Sequence, residues 1–248
     1  MISLNLINDF ALWFSGEIVS MSPSSQRLVG FVALHDRPVR RAKVSGTLWL
    51  QSSEDRASAS LRSALWRVPA PGGVQLLAAS NTHVWLNPRI EVDIRAITAH
   101  ARALLGGVTP DVAAIDVARE LCCFGEDLLA GWYDDWVIME RERFHHLRLQ
   151  ALDRLGEGLR ISGRLDDALQ VGLAAVHAEP LRETAHRLVV RVHLEQGNIA
   201  EAIRQYRTYE RMLSCELGAL PSPAMRTLID SCLVRQAPSL AERVIVRQ

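Results

Sequence analysis

Arg56, Ser60, Arg62, Ser63, Trp66 and Arg67 fall within the single stretch 54–68. Guanidinium and hydroxyl groups are what contact with phosphates and base edges requires, and arginine grips guanine through two hydrogen bonds. The same stretch carries Leu61, Leu65 and Val68 at i, i+4 and i+7. That spacing predicts a helix with a narrow apolar stripe toward a core. The six polar, cationic and aromatic residues lie off that stripe, with Trp66 open to packing on a neighbour or to touching a base or sugar. On these residues alone, a nucleic-acid surface and an ordinary solvated helix face are both open.

Other candidate chemistry is thin. Asp134-Asp135 is a pair of carboxylates, but it sits between Trp132-Tyr133 and Trp136 with no nucleophile or glycine-rich loop beside it. Packing and helix capping are the expected roles. His145-His146 begins no HExxH pattern, and neighbouring helical residues point about 100° apart. His186 and His193 lack further ligands at metal spacing. No phosphate-binding loop, dinucleotide fingerprint or nucleophile elbow is present. The reading is therefore a protein that is not an enzyme, with no catalytic residue, metal or cofactor. Cys122, Cys123, Cys215 and Cys232 form no CxxC pair and read as reduced, mostly buried thiols.

The formal net charge is zero, yet residues 1–90 hold nine Lys and Arg against five Asp and Glu. The surplus lies between Arg27 and Arg67, a weak footprint for a polyanionic partner. Hydrophobic residues make up 48% and charged residues 23%, enough apolar material for two cores over this length. No run nears the roughly 18–20 apolar residues that cross a bilayer. Met1 to Phe14 carries Asp9 and no basic residue, which predicts no signal peptide, a cytoplasmic location and no membrane partner.

The elements that must position 54–68 follow from local patterns. Loose alternation over 3–20, with turns at Asn8-Asp9 and Ser15-Gly16, predicts short antiparallel strands. Ser22-Pro23 predicts a helix start, with Leu28, Val29, Phe31, Val32 and Leu34 buried. Pro38 ends that helix. A second helix is expected over 40–50, burying Val44, Leu48 and Trp49 and presenting Arg40, Arg41 and Lys43 at its start. Ser52 or Ser53 caps the third. Pro69 to Gly73 breaks it, and strands over 74–78 and 83–86 flank Ser80-Asn81-Thr82, a hairpin signal. Three helices and a hairpin is the winged helix-turn-helix order, in which the third helix enters the major groove and the wing touches adjacent backbone. Asn81 and Thr82 would then stand at the wing.

Beyond Val92 the pattern turns helical, with helices expected over 93–105, 111–124 and about 137–161. Gly163 and Gly197 lie 34 residues apart, as do Ala168 and Ala202, within the matching runs Gly163-Arg-Leu-Asp-Asp-Ala168-Leu169 and Gly197-Asn-Ile-Ala-Glu-Ala202-Ile203. That is the tetratricopeptide (TPR) period. The glycine permits the tight turn, and the alanine permits close helix approach. Helix pairs are expected over 144–177 and 181–215. The fold class is mainly α with a small β component. Its parts are a winged helix-turn-helix over 1–90, a TPR-like helical domain over 91–235 and a tail over 236–248.

The run Gln26–Val68, with Pro38-Val39, Arg41, Leu48-Trp49, Leu61, Leu65 and Arg67 at marked places, resembles the winged helix of the SARP-type antibiotic-regulatory activators of bacteria. Leu128–Arg143, Ala178–Val192 and Gly197–Gly218 resemble the bacterial transcriptional activator domain (BTAD) that follows it in that family. The resemblance covers about residues 3–230. It departs at Arg67-Val68-Pro69, where the family's helix continues with further basic residues. It implies a transcriptional activator that binds double-stranded DNA and contacts RNA polymerase, as a dimer or tandem pair on direct repeats. The DNA contacts implied are Arg40, Arg41, Lys43, Arg56, Ser60, Arg62, Ser63, Trp66, Arg67, Asn81 and Thr82. The alternative is a TPR-like adaptor whose winged helix no longer binds DNA.

Overall fold

A computed structural model of the chain describes residues 1–106 and 128–236. The helix expected over 111–124, Cys122, Cys123 and most of the tail lie outside the described residues, as does the side chain of Cys232. The chain divides into two compact units. Among the described residues, the first holds 1–100 and 128–146, and the second holds 101–106 and 147–236.

The first unit opens on an antiparallel meander of β1 (Ile2–Asn5), β2 (Ala11–Phe14) and β3 (Glu17–Ile18), in register at Leu4 and Leu12. Strand periodicity turns Ile2, Leu4 and Leu12 inward, where all three are buried. Ser15 and Gly16 both take positive φ, as a two-residue loop twisted to match its strands requires. Helix α1 (Pro23–Ala33) starts where Ser22 accepts the Ser25 amide hydrogen. It buries Leu28, Val29, Phe31 and Val32.

Strand β4 (Val39–Arg40), unforeseen in the sequence pattern, leads into α2 (Arg41–Leu48). Helix α2 buries Val44 and Leu48, whereas Trp49, expected inside, is half-buried. Helix α3 (Glu54–Arg67) packs on α1 and α2. Its buried residues are Ala57, Leu61 and Ala64. Leu65 and Val68 are half-buried, because two alanines flanking Leu61 give the closer approach and turn the contact face toward them. The hairpin is β5 (Leu77–Ala79) and β6 (His83–Leu86). Its first strand begins at Leu77, later than expected, after a 3-10 turn over Pro71–Gly73. β4 adds to β6, giving the order β4-β6-β5.

β7 (Glu91–Val92) pairs with β1 in parallel and feeds α4 (Asp93–Leu105). Asp93 accepts backbone hydrogens from Leu6, Ile7 and Ile94 at 2.7–3.0 Å. Burial still raises its pKa against the three backbone donors. Arg95 donates to the carbonyls of Ala33 and His35 at the end of α1. The start of α5 (Asp135–Ile161) completes this unit. Trp136 meets Phe31 edge-on at 5.3 Å, and Trp132 stacks on Phe10 at 5.9 Å. Asp134 pairs with Arg27, and its carbonyl accepts the Val137 amide hydrogen, as the packing and capping reading expects.

The second unit continues α5 and adds α6 (Leu165–Ala178), α7 (Glu183–Glu195), α8 (Ile199–Leu217) and α9 (Pro223–Gln236). Gly163 and Gly197 both take φ +78° at the turns before α6 and α8, a conformation that favours glycine. Ala168 and Ala202 are fully buried. A Cβ at Gly156 would lie 2.2 Å from Leu188 Cδ2, so α5 and α7 approach closely there and a side chain at 156 would displace Leu188. Val190, Ala202, Tyr209, Leu213, Met225 and Ile229 form a core joining α7, α8 and α9. Cys215, expected inside, is exposed on α8. Among the described residues no helix is long and apolar enough to cross a membrane.

Candidate nucleic-acid interface

At 100° per residue, the buried Ala57–Leu61–Ala64 stripe of α3 leaves Trp66 on the opposite side. Trp66 is 88% exposed, with no apolar neighbour covering it. Arg62 stands on one flank of this face; Arg56, Ser63 and Arg67 stand on the other, and all four are exposed. Arg67 Nε donates to the Ser63 carbonyl at 3.2 Å, which holds that guanidinium along the helix. Ser60 falls at the margin and is half-buried. Ala59, which sequence reasoning missed, is exposed on the same face as Trp66. A methyl group there leaves room for a close approach and suits contact with a thymine methyl. Its spacing from Ser63 and Trp66, which stand at i+4 and i+7 from it, was the available signal.

Charge on α3 is graded. Glu54 and Asp55 occupy the first turn, and Arg67 the last. Both placements suit the helix dipole. Arg56 follows the two acids as the third residue and Arg62 stands at the middle, so an approaching polyanion meets positive charge spread along α3. Among the described residues, neither Arg56 nor Arg62 forms an ion pair.

The second group forms where α2 meets the hairpin. Arg40 faces His83 across the β4–β6 ladder. Arg41 donates its amide hydrogen to the Thr82 carbonyl at 2.8 Å, and its guanidinium reaches the Ser80 carbonyl at 3.3 Å. The start of α2 is thereby tied to the hairpin loop. Ser80 Oγ accepts the amide hydrogens of Thr82 and His83, which holds the loop in shape and leaves Asn81 and Thr82 exposed at its tip. His35 donates from Nδ1 to the Phe31 carbonyl, so its Nε2 can accept from Lys43 Nζ at 3.3 Å. Arg40, Arg41, Lys43, Asn81 and Thr82 thus share one region. Arg56, Arg62, Ser63, Trp66 and Arg67 share the outer face of α3, which packs directly on α2. The tie from Arg41 to the loop was not foreseen. It depends on a strand pairing that local pattern does not reveal.

The arrangement offers guanidinium, ammonium, hydroxyl and amide donors around one exposed indole. No group of three or more His, Cys, Asp or Glu side chains able to hold a metal occurs among the described residues.

Residues 90–233 match the family described as the bacterial transcriptional activator domain. The regulatory protein AfsR of Streptomyces coelicolor is 27% identical over 241 residues, covering 93% of this chain. The chain spans only 24% of that relative's length. A solved structure of Mycobacterium tuberculosis EmbR in complex with a low affinity phosphopeptide superposes with a TM-score of 0.73 at 20% identity. It covers 98% of this chain and 67% of the EmbR chain, a likeness of fold across both units.

Proposed function

The chain belongs to the bacterial transcriptional activator domain family, and from that premise we propose that it is a sequence-specific DNA-binding transcription regulator of the SARP type. In this reading α3 enters the major groove. Arg62, Ser63 and Arg67 reach base edges, Arg56 and Ser60 contact phosphate, and Trp66 packs on a sugar or a thymine methyl. Arg40, Arg41 and Lys43 hold the adjacent backbone, and Asn81 and Thr82 touch it from the wing. The helical unit contacts RNA polymerase and so activates transcription, with two copies on a direct repeat. The protein acts by binding, with no catalytic step.

The observation that carries this reading is the outer face of α3, where solvent-facing guanidiniums surround an exposed tryptophan. A mobility-shift titration on the promoter of the protein's own operon tests it. Wild type should form a discrete complex that weakens with salt, in proportion to the phosphates neutralised. Arg62→Ala and Arg67→Ala should each weaken it. Unchanged binding in both variants would sink the assignment of α3. The adaptor alternative draws on the same Trp66, an apolar group where a protein could dock. It would be favoured if wild type formed no complex with any promoter fragment while remaining folded.

A further inference from the structure

The second unit contains a cavity of about 480 Å³ between the facing sides of α5 and α7. Its lining includes Asp153, Arg154 and Glu157 from α5, and Arg187, Leu188 and Arg191 from α7. These are the first helices of the two repeat pairs, whose inward faces form the concave side of such a stack. None of these residues belongs to the surface assigned above to DNA.

Each of the two acids in the lining has an arginine partner that lies outside it. Arg182 donates to Asp153 Oδ2 at 2.7 and 3.2 Å, and the Thr184 hydroxyl adds hydrogen bonds of 2.9 and 3.1 Å. Arg160 donates to both oxygens of Glu157 at 2.7 and 3.0 Å. Neither Arg182 nor Arg160 lines the cavity. The Arg160 hydrogen bonds hold the Glu157 carboxyl below its ordinary range, and the charges of Arg191 and Arg187 act in the same direction.

The three cations that do line the cavity are held loosely. Arg191 lies 3.6 Å from Glu157, beyond hydrogen-bond range. Arg187 makes one long contact of 3.4 Å to Glu183, whose carboxylate also accepts from the amide and hydroxyl of Ser222. Arg154 is exposed and forms no ion pair among the described residues. The three guanidiniums of the lining outnumber its two carboxylates, each of which also has an arginine partner outside it, so a net positive charge lies over the apolar surface of Leu188.

We infer that this cavity binds a small organic ligand through a phosphate or pyrophosphate group. A phosphate dianion presents the charge and the acceptor oxygens that guanidinium forks on two helices can share. The volume falls within the range of small-molecule sites, roughly 300–1,000 Å³. A DNA duplex does not enter a cavity of this size. The site gives the helical unit a chemical input separate from the α3 surface.

Isothermal titration of the full chain with inorganic pyrophosphate, at ionic strength matched with chloride, tests the inference. Saturable binding is expected, weakened at least tenfold in the double variant Arg154→Ala, Arg191→Ala. Both side chains reach solvent, and circular dichroism should show that variant folded. The variant Arg62→Ala, Arg67→Ala should bind pyrophosphate as wild type does, which separates this site from the α3 surface. Absence of saturable heat, equal affinity in the Arg154/Arg191 variant, or loss in the Arg62/Arg67 variant would each overturn it. A phosphoserine peptide that bound more tightly than pyrophosphate and lost affinity in the Arg154/Arg191 variant would overturn the small-molecule assignment.

Discussion

The outer face of α3 and the packed helices of the second unit use arginine differently. On α3, Arg56 and Arg62 face solvent with no carboxylate partner among the described residues. In the helical unit, Arg160 meets Glu157 and Glu195, Arg164 meets Asp167, Arg182 meets Asp153 and Arg204 meets Glu201. A guanidinium already paired is a poor ligand for an incoming phosphate, because the existing pair must first be broken. An unpaired one is available at no such cost. Pairing state therefore separates cations that organise the fold from cations that await a partner. It also singles out Arg154, Arg187 and Arg191 at the cavity between α5 and α7, which are held more loosely than the paired Arg160 and Arg182 beside them.

The contrast is broken most directly on α3. Arg62→Ala with Arg67→Ala should lower promoter affinity about 100-fold, since each base or phosphate contact contributes about 1–3 kcal/mol. Thermal stability should stay within about 0.5 kcal/mol of wild type, as for surface changes away from packed features. A variant that lost stability as well as affinity would show that these arginines also serve the fold. The next largest effect belongs to the helical unit. Ala202→Leu would force a larger side chain into a fully buried site, at a cost of about 1–3 kcal/mol. Chemical denaturation reads this loss, and the α3 surface predicts unchanged promoter affinity wherever the variant remains folded.

How much of this was visible beforehand depended on range. Ser15-Gly16, Ser22-Pro23 and the helix over 93–105 were legible because each rests on the chemistry of a few adjacent residues. The repeat was legible because Gly163 and Gly197 take the same φ for the same reason. β4 and β7 were not, since two residues carry no periodicity and their partners lie far along the chain. The part played by Asp93 was hidden in the same way: its carboxylate serves the amides of Leu6 and Ile7, more than eighty positions earlier. At the candidate interface the residue types could be read, while their arrangement could not. Helical spacing on α3 separates Trp66 from the core, yet pattern alone ranks leucine above alanine and so sets the stripe on Leu65 and Val68. The two alanines are inside because they permit closer packing.

A third test sharpens the comparison through protons. His186 is fully buried, with Nε2 donating to the Pro180 carbonyl and Nδ1 accepting from the Gln205 amide, each at 2.9 Å. Its ring lies 4.5 Å from that of Tyr209. Burial depresses its pKa below the ordinary 6.5, against the opposing Pro180 hydrogen bond. Below about pH 6.5 the unfolded chain therefore takes up a proton that the folded chain does not, and stability falls as pH falls. Above that pH the residue contributes no slope. From pH 6.5 to 5.5 the wild type should lose up to about 1 kcal/mol more than His186→Gln. Parallel stability profiles for the two proteins would rule out His186 as the source of the slope.

The smallest effect is the most diagnostic of pairing. Arg160→Ala removes the hydrogen bonds to Glu157 and the pair with Glu195. Those carboxylates are partly solvated, so screening limits the loss to about 0.5–1 kcal/mol. Promoter affinity should not change. The larger consequence is electrostatic: Glu157 keeps its charge but loses the partner that neutralises it, and it lines the cavity that Arg160 does not. Pyrophosphate binding should therefore weaken in Arg160→Ala, and recover when Glu157→Gln removes the stranded charge. Pyrophosphate affinity unchanged in Arg160→Ala would mean that the charge of Glu157 does not reach the ligand, and that the cavity's positive character does not depend on the pairing around it.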